Sequence, residues 1–265
     1  MRKKLYYKTE GSGIPLILIH GFTGSHKSFD VVSNYLKQYF KIIKLDMIGH
    51  GFSIDFSEDN YSFSKSILFI ENIINELNLK KVNIVGYSLG GRLAMQFAIN
   101  NYNKINKLIL CSSSFGIEKK LERISRIKSD EKIIDLLMNN EIKKFVNYWE
   151  RIPLWDSEKN LSVEIRQKNR NIRLNQNNIG LLMNLRYQGQ GVQEFLGKSL
   201  KNIKSKTLIM YGEKDLKYKI ISKIMSEIIE NSELNVVSNS GHNIILENPI
   251  YVSQKIKNFI LGEKL

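Results

Sequence analysis

The hexapeptide Gly86-Tyr87-Ser88-Leu89-Gly90-Gly91 lies between an apolar run, Val82-Asn83-Ile84-Val85, and a helical pattern that begins Arg92-Leu93-Ala94-Met95. A strand that becomes a helix within so few residues needs small residues on both sides of the central serine, and Gly86 and Gly90 supply them. The turn lifts the Ser88 hydroxyl above the end of a sheet and aims the Leu89 N–H at the same point. Such a junction needs a buried strand and a helix packed against it, so it restricts the chain to α/β architectures. It also makes Ser88 the first candidate for chemistry.

The rest of the chain follows the same rhythm. Apolar, β-branched runs at 16–19, 42–45, 82–85, 108–110, 207–210 and 234–237 read as strands, and residues 5–9 as an extra edge strand. The runs near 16, 82 and 207 are apolar at consecutive positions, the pattern of a parallel sheet covered on both faces. Helical patterns fall at 27–38, 63–78, 90–101, 219–230 and 250–261. This alternation predicts a doubly wound, mostly parallel sheet that binds ligands beyond the carboxyl ends of its strands. Residues 117–190 carry no convincing strand and instead read as helices at 118–127, 130–139, 141–149, 162–172 and 179–188. The expected organisation is therefore a core of 1–116 and 191–265, with 117–190 inserted as an all-helical lid over the strand ends.

Composition narrows the function classes. A chain of 265 residues with 42% hydrophobic and 25% charged residues can bury a sizeable core. No apolar stretch reaches the roughly 20 residues that span a bilayer, and the basic N-terminus lacks an apolar segment behind it, so membrane insertion is not expected and a cytoplasmic protein is. The single cysteine, Cys111, excludes an internal disulfide and reads as a packed residue. The formal charge of +14 invites a nucleic-acid reading, yet the basic residues are scattered and no nucleic-acid motif is present. A positive field instead favours encounter with an anionic small molecule. Seven of the nine arginines fall within 123–186, and the planar guanidinium suits carboxylates. The sequence leaves the oligomeric state open, with a monomer favoured.

A serine hydroxyl reacts only when an imidazole takes its proton and an acid fixes that imidazole's tautomer. Asp215 follows the run 207–210, and His242 follows Gly241 after the run 234–237. The chain order Ser88, Asp215, His242 places all three on loops at strand carboxyl ends. Asp46 is the competing acid, but it precedes the serine and fits a structural turn, Asp46-x-x-Gly49-His50-Gly51-x-Ser53. His50 is the weaker candidate base, and His26 reads as a surface residue. After the first central strand, His20-Gly21-Phe22-Thr23-Gly24 turns tightly enough for the Phe22 N–H to join that of Leu89 as an oxyanion donor. No phosphate loop, dinucleotide fingerprint or metal-ligand spacing is present, so neither a cofactor nor a metal is expected.

Together His20-Gly21-Phe22, the Asp46–Ser53 turn, the Ser88 elbow, Gly212-Glu213-x-Asp215 and Gly241-His242 resemble the α/β-hydrolase superfamily over nearly the whole chain. That fold hosts esterases, lyases and thioesterases alike. A finer resemblance is to the 2-succinyl-6-hydroxy-2,4-cyclohexadiene-1-carboxylate synthases of menaquinone biosynthesis. Four segments carry it: the elbow through Arg92; Arg126-Ile-Lys-Ser-Asp130 with Tyr148-Trp149-Glu-Arg-Ile-Pro153-Leu-Trp155; Arg170-Asn-Ile-Arg173; and Leu185-Arg186-x-x-Gly189-x-Gly191-x-Gln193. Leu89, Gln190 and Phe195-Leu196-Gly197 depart from that family, which often has Met, Thr and a Trp-containing sequence there. The resemblance implies a lyase that eliminates pyruvate from a tricarboxylate, with Ser88, His242 and Asp215 removing a proton rather than forming an acyl group. It further implies that Arg92, Arg126 and Arg173 hold carboxylates while Tyr87 and Trp149 frame the ring, with Arg186 and Gln193 as lesser contacts. The residues themselves leave two other readings open. One is a carboxylesterase or C–C bond hydrolase working through an acyl-enzyme on an acidic substrate. The other is a silent binding protein, against which the complete Ser/Asp/His set argues.

Overall fold

The computed structural model describes residues 5–55 and 57–262; the first four and last three residues of the expected core lie outside the described residues. Seven strands, β1 (Tyr7–Glu10), β2 (Ile14–Ile19), β3 (Phe40–Leu45), β4 (Val82–Tyr87), β5 (Ile105–Cys111), β6 (Lys206–Gly212) and β7 (Ser232–Val237), form one sheet in the order β1-β3-β2-β4-β5-β6-β7. Only the edge strand β1 runs antiparallel to its neighbour. The consecutive apolar positions arise from burial on both faces. Ile17, Ile19, Ile84, Leu108, Leu110 and Ile209 enter one core, while Leu16, Leu18, Val85, Ile109, Leu208 and Met210 enter the other. Each such side chain, fully buried, contributes about 1.5–3 kcal/mol of transfer free energy.

The helices are α1 (Asp30–Leu36), α2 (Phe63–Glu76), α3 (Leu89–Asn100), α4 (Lys120–Met138), α5 (Ile142–Trp149), α6 (Val163–Leu174), α7 (Asn178–Gln188), α8 (Leu216–Ile228), α9 (Ile244–Glu247) and α10 (Pro249–Leu261). The first core packs under α2, α3 and α8, and the second under α1, α9 and α10. No helix among the described residues is long and apolar enough to cross a membrane. The expected helix at 27–38 divides into a 3-10 turn, His26–Phe29, and α1, because Ser25 caps the turn and accepts the Lys27 N–H. The two helices expected at 118–127 and 130–139 are one. Neither Lys128 nor Ser129 breaks a helix, and the Ser129 hydroxyl donates back to the Ser125 carbonyl inside the same turn (3.0 Å).

Helices α4–α7, with the 3-10 segment Pro153–Asn160 between α5 and α6, lie between β5 and β6 in sequence. The last of them is fastened to the core at the turn that follows β3. A Cβ on Gly49 would stand 2.3 Å from the Gly180 carbonyl oxygen, and one on Gly180 2.3 Å from that of Gly49, so glycine on both sides lets the two backbones touch. Asn184 Nδ2 donates to the Ile48 carbonyl (3.1 Å), and Gln188 Nε2 to Ser66 Oγ (2.6 Å) and the Tyr61 carbonyl (2.8 Å).

Asp46 braces that same turn. Its Oδ1 accepts the His26 backbone N–H (2.6 Å) and ring Nδ1 (2.9 Å), while Oδ2 accepts the Phe52 N–H (2.9 Å). His26 is thus buried rather than on the surface, between Asp46 and the rings of Tyr6 and Phe52.

Candidate active site

At the carboxyl end of β4 the chain passes through Ser88 with φ 51° and ψ −110°, a left-handed conformation that costs a non-glycine residue about 1–3 kcal/mol. The surroundings hold it there. The Ser88 N–H donates to the Cys111 carbonyl (2.9 Å), and a Cβ on Gly90 would stand 2.1 Å from the Ile19 carbonyl oxygen. The helix can therefore start only where glycine lets it approach the end of β2.

Ser88 Oγ lies 3.0 Å from His242 Nε2, and His242 Nδ1 lies 2.8 Å from Asp215 Oδ2. An ionised carboxylate only accepts, so Nδ1 carries the proton and Nε2 is left to accept from the serine hydroxyl. The other Asp215 oxygen caps α8 by accepting the Tyr218 N–H (3.1 Å), which fixes the carboxylate's orientation. The imidazole is flanked by the rings of Tyr218 (4.5 Å between centroids), Tyr87 (5.6 Å) and Trp155 (5.6 Å).

Leu89 opens α3, so its N–H is one of those a helix cannot satisfy itself. Two buried histidines shape the loop that carries the Phe22 N–H. His50 Nε2 accepts the Thr23 N–H (3.3 Å), and its Nδ1 donates to the Ile48 carbonyl (3.2 Å). His20 Nε2 accepts the Met47 N–H (3.1 Å), and its Nδ1 donates to the Gly21 carbonyl (2.7 Å). Both rings use one nitrogen as acceptor and must be neutral to do so. Burial pushes the pKa of each below the ordinary 6.5, that of His50 well below. An unfolded chain binds protons at these positions below about pH 6.5, whereas the native chain does not. Their contribution to stability is therefore complete above that pH and is lost as the pH falls toward the depressed values. Thermal unfolding should show a midpoint that declines from about pH 7 to about pH 5. His50→Gln, whose amide oxygen can still accept the Thr23 N–H, should flatten that decline. A wild-type midpoint constant across this range would refute the assignment.

Two of the expected arginines are held by glutamines. Arg92 is 9% exposed; its Nη1 donates to the Gln188 carbonyl (2.8 Å) and to Gln193 Oε1 (3.1 Å), and its guanidinium lies 5.7 Å from the Phe63 ring. Burial draws its pKa down to about 10, which leaves it charged at neutral pH. Arg126 Nε donates to Asp130 Oδ1 (2.8 Å) and its Nη1 to Gln190 Oε1 (2.7 Å), so the glutamine that departs from the resembled family holds this guanidinium. Tyr218, whose ring contacts that of His242 (4.5 Å), also feels the charges of both arginines. Burial raises its pKa, and the charges of Arg92 and Arg126 pull it back down.

Other expected residues are placed differently. Arg173 is 5% exposed, with Nη1 donating to Glu150 (3.2 Å) and Nη2 to Glu158 (3.2 Å), and its guanidinium lies 5.0 Å from the Trp155 ring. It reaches the wall of the site with its charge already compensated. Gln193, fully buried, accepts from Arg92 and donates to the Ser114 carbonyl, so it supports Arg92 rather than facing a ligand. Arg186 is exposed on α7, about 200° around the helix from Asn184, which faces the core, so it does not reach the site. Trp149 is buried in the helical insertion against Phe145 (5.7 Å), Trp155 (5.8 Å) and Phe22 of the oxyanion loop (5.5 Å). The Tyr87 hydroxyl and the Trp149 and Trp155 ring N–H groups are buried without a hydrogen-bond partner among the described residues. Cys111 is buried behind the elbow, and burial raises its thiol pKa far above the usual range.

Sequence reasoning missed Tyr218, Glu158 and Asn243. Tyr218 had a usable signal, since it is three residues beyond Asp215 at the start of a helix and so returns to the same face.

The family model for the alpha/beta hydrolase fold matches residues 14–195. A protein of Bacillus subtilis (strain 168) named putative 2-succinyl-6-hydroxy-2,4-cyclohexadiene-1-carboxylate synthase is 32% identical over 246 residues, covering 92% of this chain and 89% of that protein. The synthase of the same name from Klebsiella pneumoniae is 25% identical over 237 residues, covering 89% and 90%. The solved structure of MenH from S. aureus superposes with a TM-score of 0.92 at 31% identity and covers 98% of each chain.

Proposed function

The chain belongs to the α/β hydrolase family and, within it, to the 2-succinyl-6-hydroxy-2,4-cyclohexadiene-1-carboxylate synthases, and from that premise we propose that it is a cytoplasmic lyase of menaquinone biosynthesis that eliminates pyruvate from a tricarboxylate cyclohexene. The observation that carries this reading is a Ser88–His242–Asp215 relay whose neighbour Tyr218 feels the charges of Arg92, on the first turn after the elbow, and Arg126. An ordinary ester site has no need of guanidiniums beside its relay; a substrate with three carboxylates does.

In this mechanism the Ser88 hydroxyl, its own proton passing to His242 Nε2, removes a proton next to the succinyl ketone. A serine hydroxyl is far too weak a base alone, so the pair acts as a unit, with Asp215 stabilising the imidazolium that forms. The enolate oxygen is received by the Phe22 and Leu89 N–H groups. Its electron pair then expels the three-carbon leaving group as the enolate of pyruvate; Ser88 keeps the proton taken from carbon, and the imidazolium delivers its own proton to the departing enolate, which becomes pyruvate. Arg92 and Arg126 hold carboxylates, Arg173 holds one in competition with Glu158, and Tyr87 and Trp149 border the ring.

The test is a time course of pyruvate release from the tricarboxylate intermediate. Stoichiometric pyruvate supports the proposal. Rapid turnover of p-nitrophenyl esters with no pyruvate released would overturn it and favour an acyl-enzyme hydrolase.

A further inference from the structure

The catalytic histidine lies on an irregular loop between β7 and α9, with Asn239 at φ 59°. Part of what holds this loop is local. Glu247 Oε2 accepts the Gly241 N–H (2.8 Å), and its Oε1 accepts the Asn243 N–H (3.2 Å). The rest comes from the 3-10 segment Pro153–Asn160 of the insertion. Trp155 meets the His242 ring edge-on at 5.6 Å. Ser157 crowds Gly241 so closely that a Cβ there would stand 2.0 Å from the serine Oγ. Glu158 Oε1 accepts from Asn243 Nδ2 at 2.7 Å. Three residues within four positions of the lid thus grip three consecutive residues of the catalytic loop.

Glu158 is itself 6% exposed, and a carboxylate so buried needs both a cation and hydrogen bonds. Arg173 Nη2 donates to both of its oxygens (3.3 and 3.2 Å), and Asn169 Nδ2 donates to Oε2 (3.3 Å). Arg173 is paired in turn with Glu150, which also meets Arg170. The phenol of Tyr87, beside Ser88, feels both Glu158 and Arg173.

We propose that Glu158 is a positioning residue: by bridging Asn243 and Arg173 it ties the seating of His242 to the lid, and it competes with an anionic substrate for the Arg173 guanidinium. The first consequence is independent of which reaction the enzyme catalyses. The second rests on the anionic substrate proposed above. Loss of the Asn243 bridge lets the His242 loop drift, which weakens proton transfer from Ser88. Loss of the carboxylate's charge alone leaves the bridge in place, because a glutamine oxygen still accepts from Asn243, while Arg173 is released to the substrate.

The test uses Glu158→Ala, Asn243→Ala, their combination and Glu158→Gln in the full-length enzyme, with thermal melts to confirm folding. Phosphonylation of Ser88 by a fluorophosphonate probe reports the poise of His242 without any assumption about substrate. Each alanine variant should slow it about tenfold, the scale of one hydrogen bond between charged and neutral groups, and the double variant should be no slower. Glu158→Gln should restore the rate and lower KM for the tricarboxylate several-fold relative to wild type. Unchanged phosphonylation in both alanine variants, additive losses, or a glutamine variant as slow as alanine would overturn the positioning role. A KM that rises in Glu158→Gln would overturn the competition. If Glu158→Ala does not fold, Asn243→Ala removes the same bond from the core side and decides the question. If no pyruvate is released, the phosphonylation rates still decide the positioning role, and the tricarboxylate's affinity for Glu158→Gln, read by calorimetry, decides the competition.

Discussion

Ser88→Ala is expected to lower kcat for pyruvate release by about 10³–10⁴-fold, with KM nearly unchanged and the fold intact. The fold survives because alanine at φ 51° bears no more strain than the serine it replaces, and the Ser88 N–H keeps its bond to the Cys111 carbonyl. The rate falls because, among the described residues, no other hydroxyl is hydrogen-bonded to His242 Nε2, so the imidazole loses the group through which it acts. His242→Ala should cost a similar factor, and the double variant little more, since residues that work as a unit do not add. A rapid quench of the wild-type enzyme during turnover should contain no substrate-derived acyl group on Ser88. An adduct that accumulates and decays at the turnover rate would contradict the base role while leaving the triad intact. A Ser88→Ala variant with more than about a tenth of wild-type activity would remove the serine from the mechanism altogether.

What was legible in the chain depended on how local its causes are. The sheet was readable because two-sided burial writes itself into consecutive positions such as Leu16-Ile17-Leu18-Ile19, each of which enters one or the other core. The elbow was readable because steric limits near Ser88 exclude everything but glycine at 86 and 90. Asp215 and His242 follow from topology, since loops after β6 and β7 open on the same edge of the sheet as the loop after β4.

The misses are pairings between distant segments, which leave no periodic trace. His26 looked like a surface residue because nothing near it in sequence shows that Asp46, twenty positions later, will accept both its backbone and ring nitrogens. Arg173 was expected to hold a substrate carboxylate, and nothing in the sequence showed its protein partners, Glu150 and Glu158, which lie on other elements of the insertion. Gln193 looked like a substrate contact, yet it is the brace of Arg92, 101 residues away. In each case the residue type was informative and the partner was not. The insertion's helices were legible in kind but not in number, since the gap inferred at 128–129 had no glycine or proline to make one.

Arg92→Ala should lower kcat/KM for the tricarboxylate by about 10–150-fold, the equivalent of one charge-assisted bond worth about 1.5–3 kcal/mol, with most of the loss in KM. The direction follows from where the charge sits. Arg92 is on the first turn after the elbow, buried, and charged at neutral pH even with its pKa drawn down to about 10. Among the described residues only Nη1 is taken, by Gln188 and Gln193, so the guanidinium is held by one corner and can offer another edge to a carboxylate. Turnover of a small neutral ester, which has nothing to pair with that edge, should be spared. Arg92→Lys should recover little. A single ammonium cannot both satisfy the Gln188 carbonyl and Gln193 Oε1 and face the cleft with a second, rigidly placed pair of donors. If alanine depresses both substrates equally, the guanidinium serves chiefly to fasten Gln188 and Gln193, and the melting temperature should fall with the rate. A selective loss on the anionic substrate at an unchanged melting temperature instead assigns Arg92 to recognition. It would then be the residue that turns a serine relay common to esterases toward a carboxylate-rich substrate.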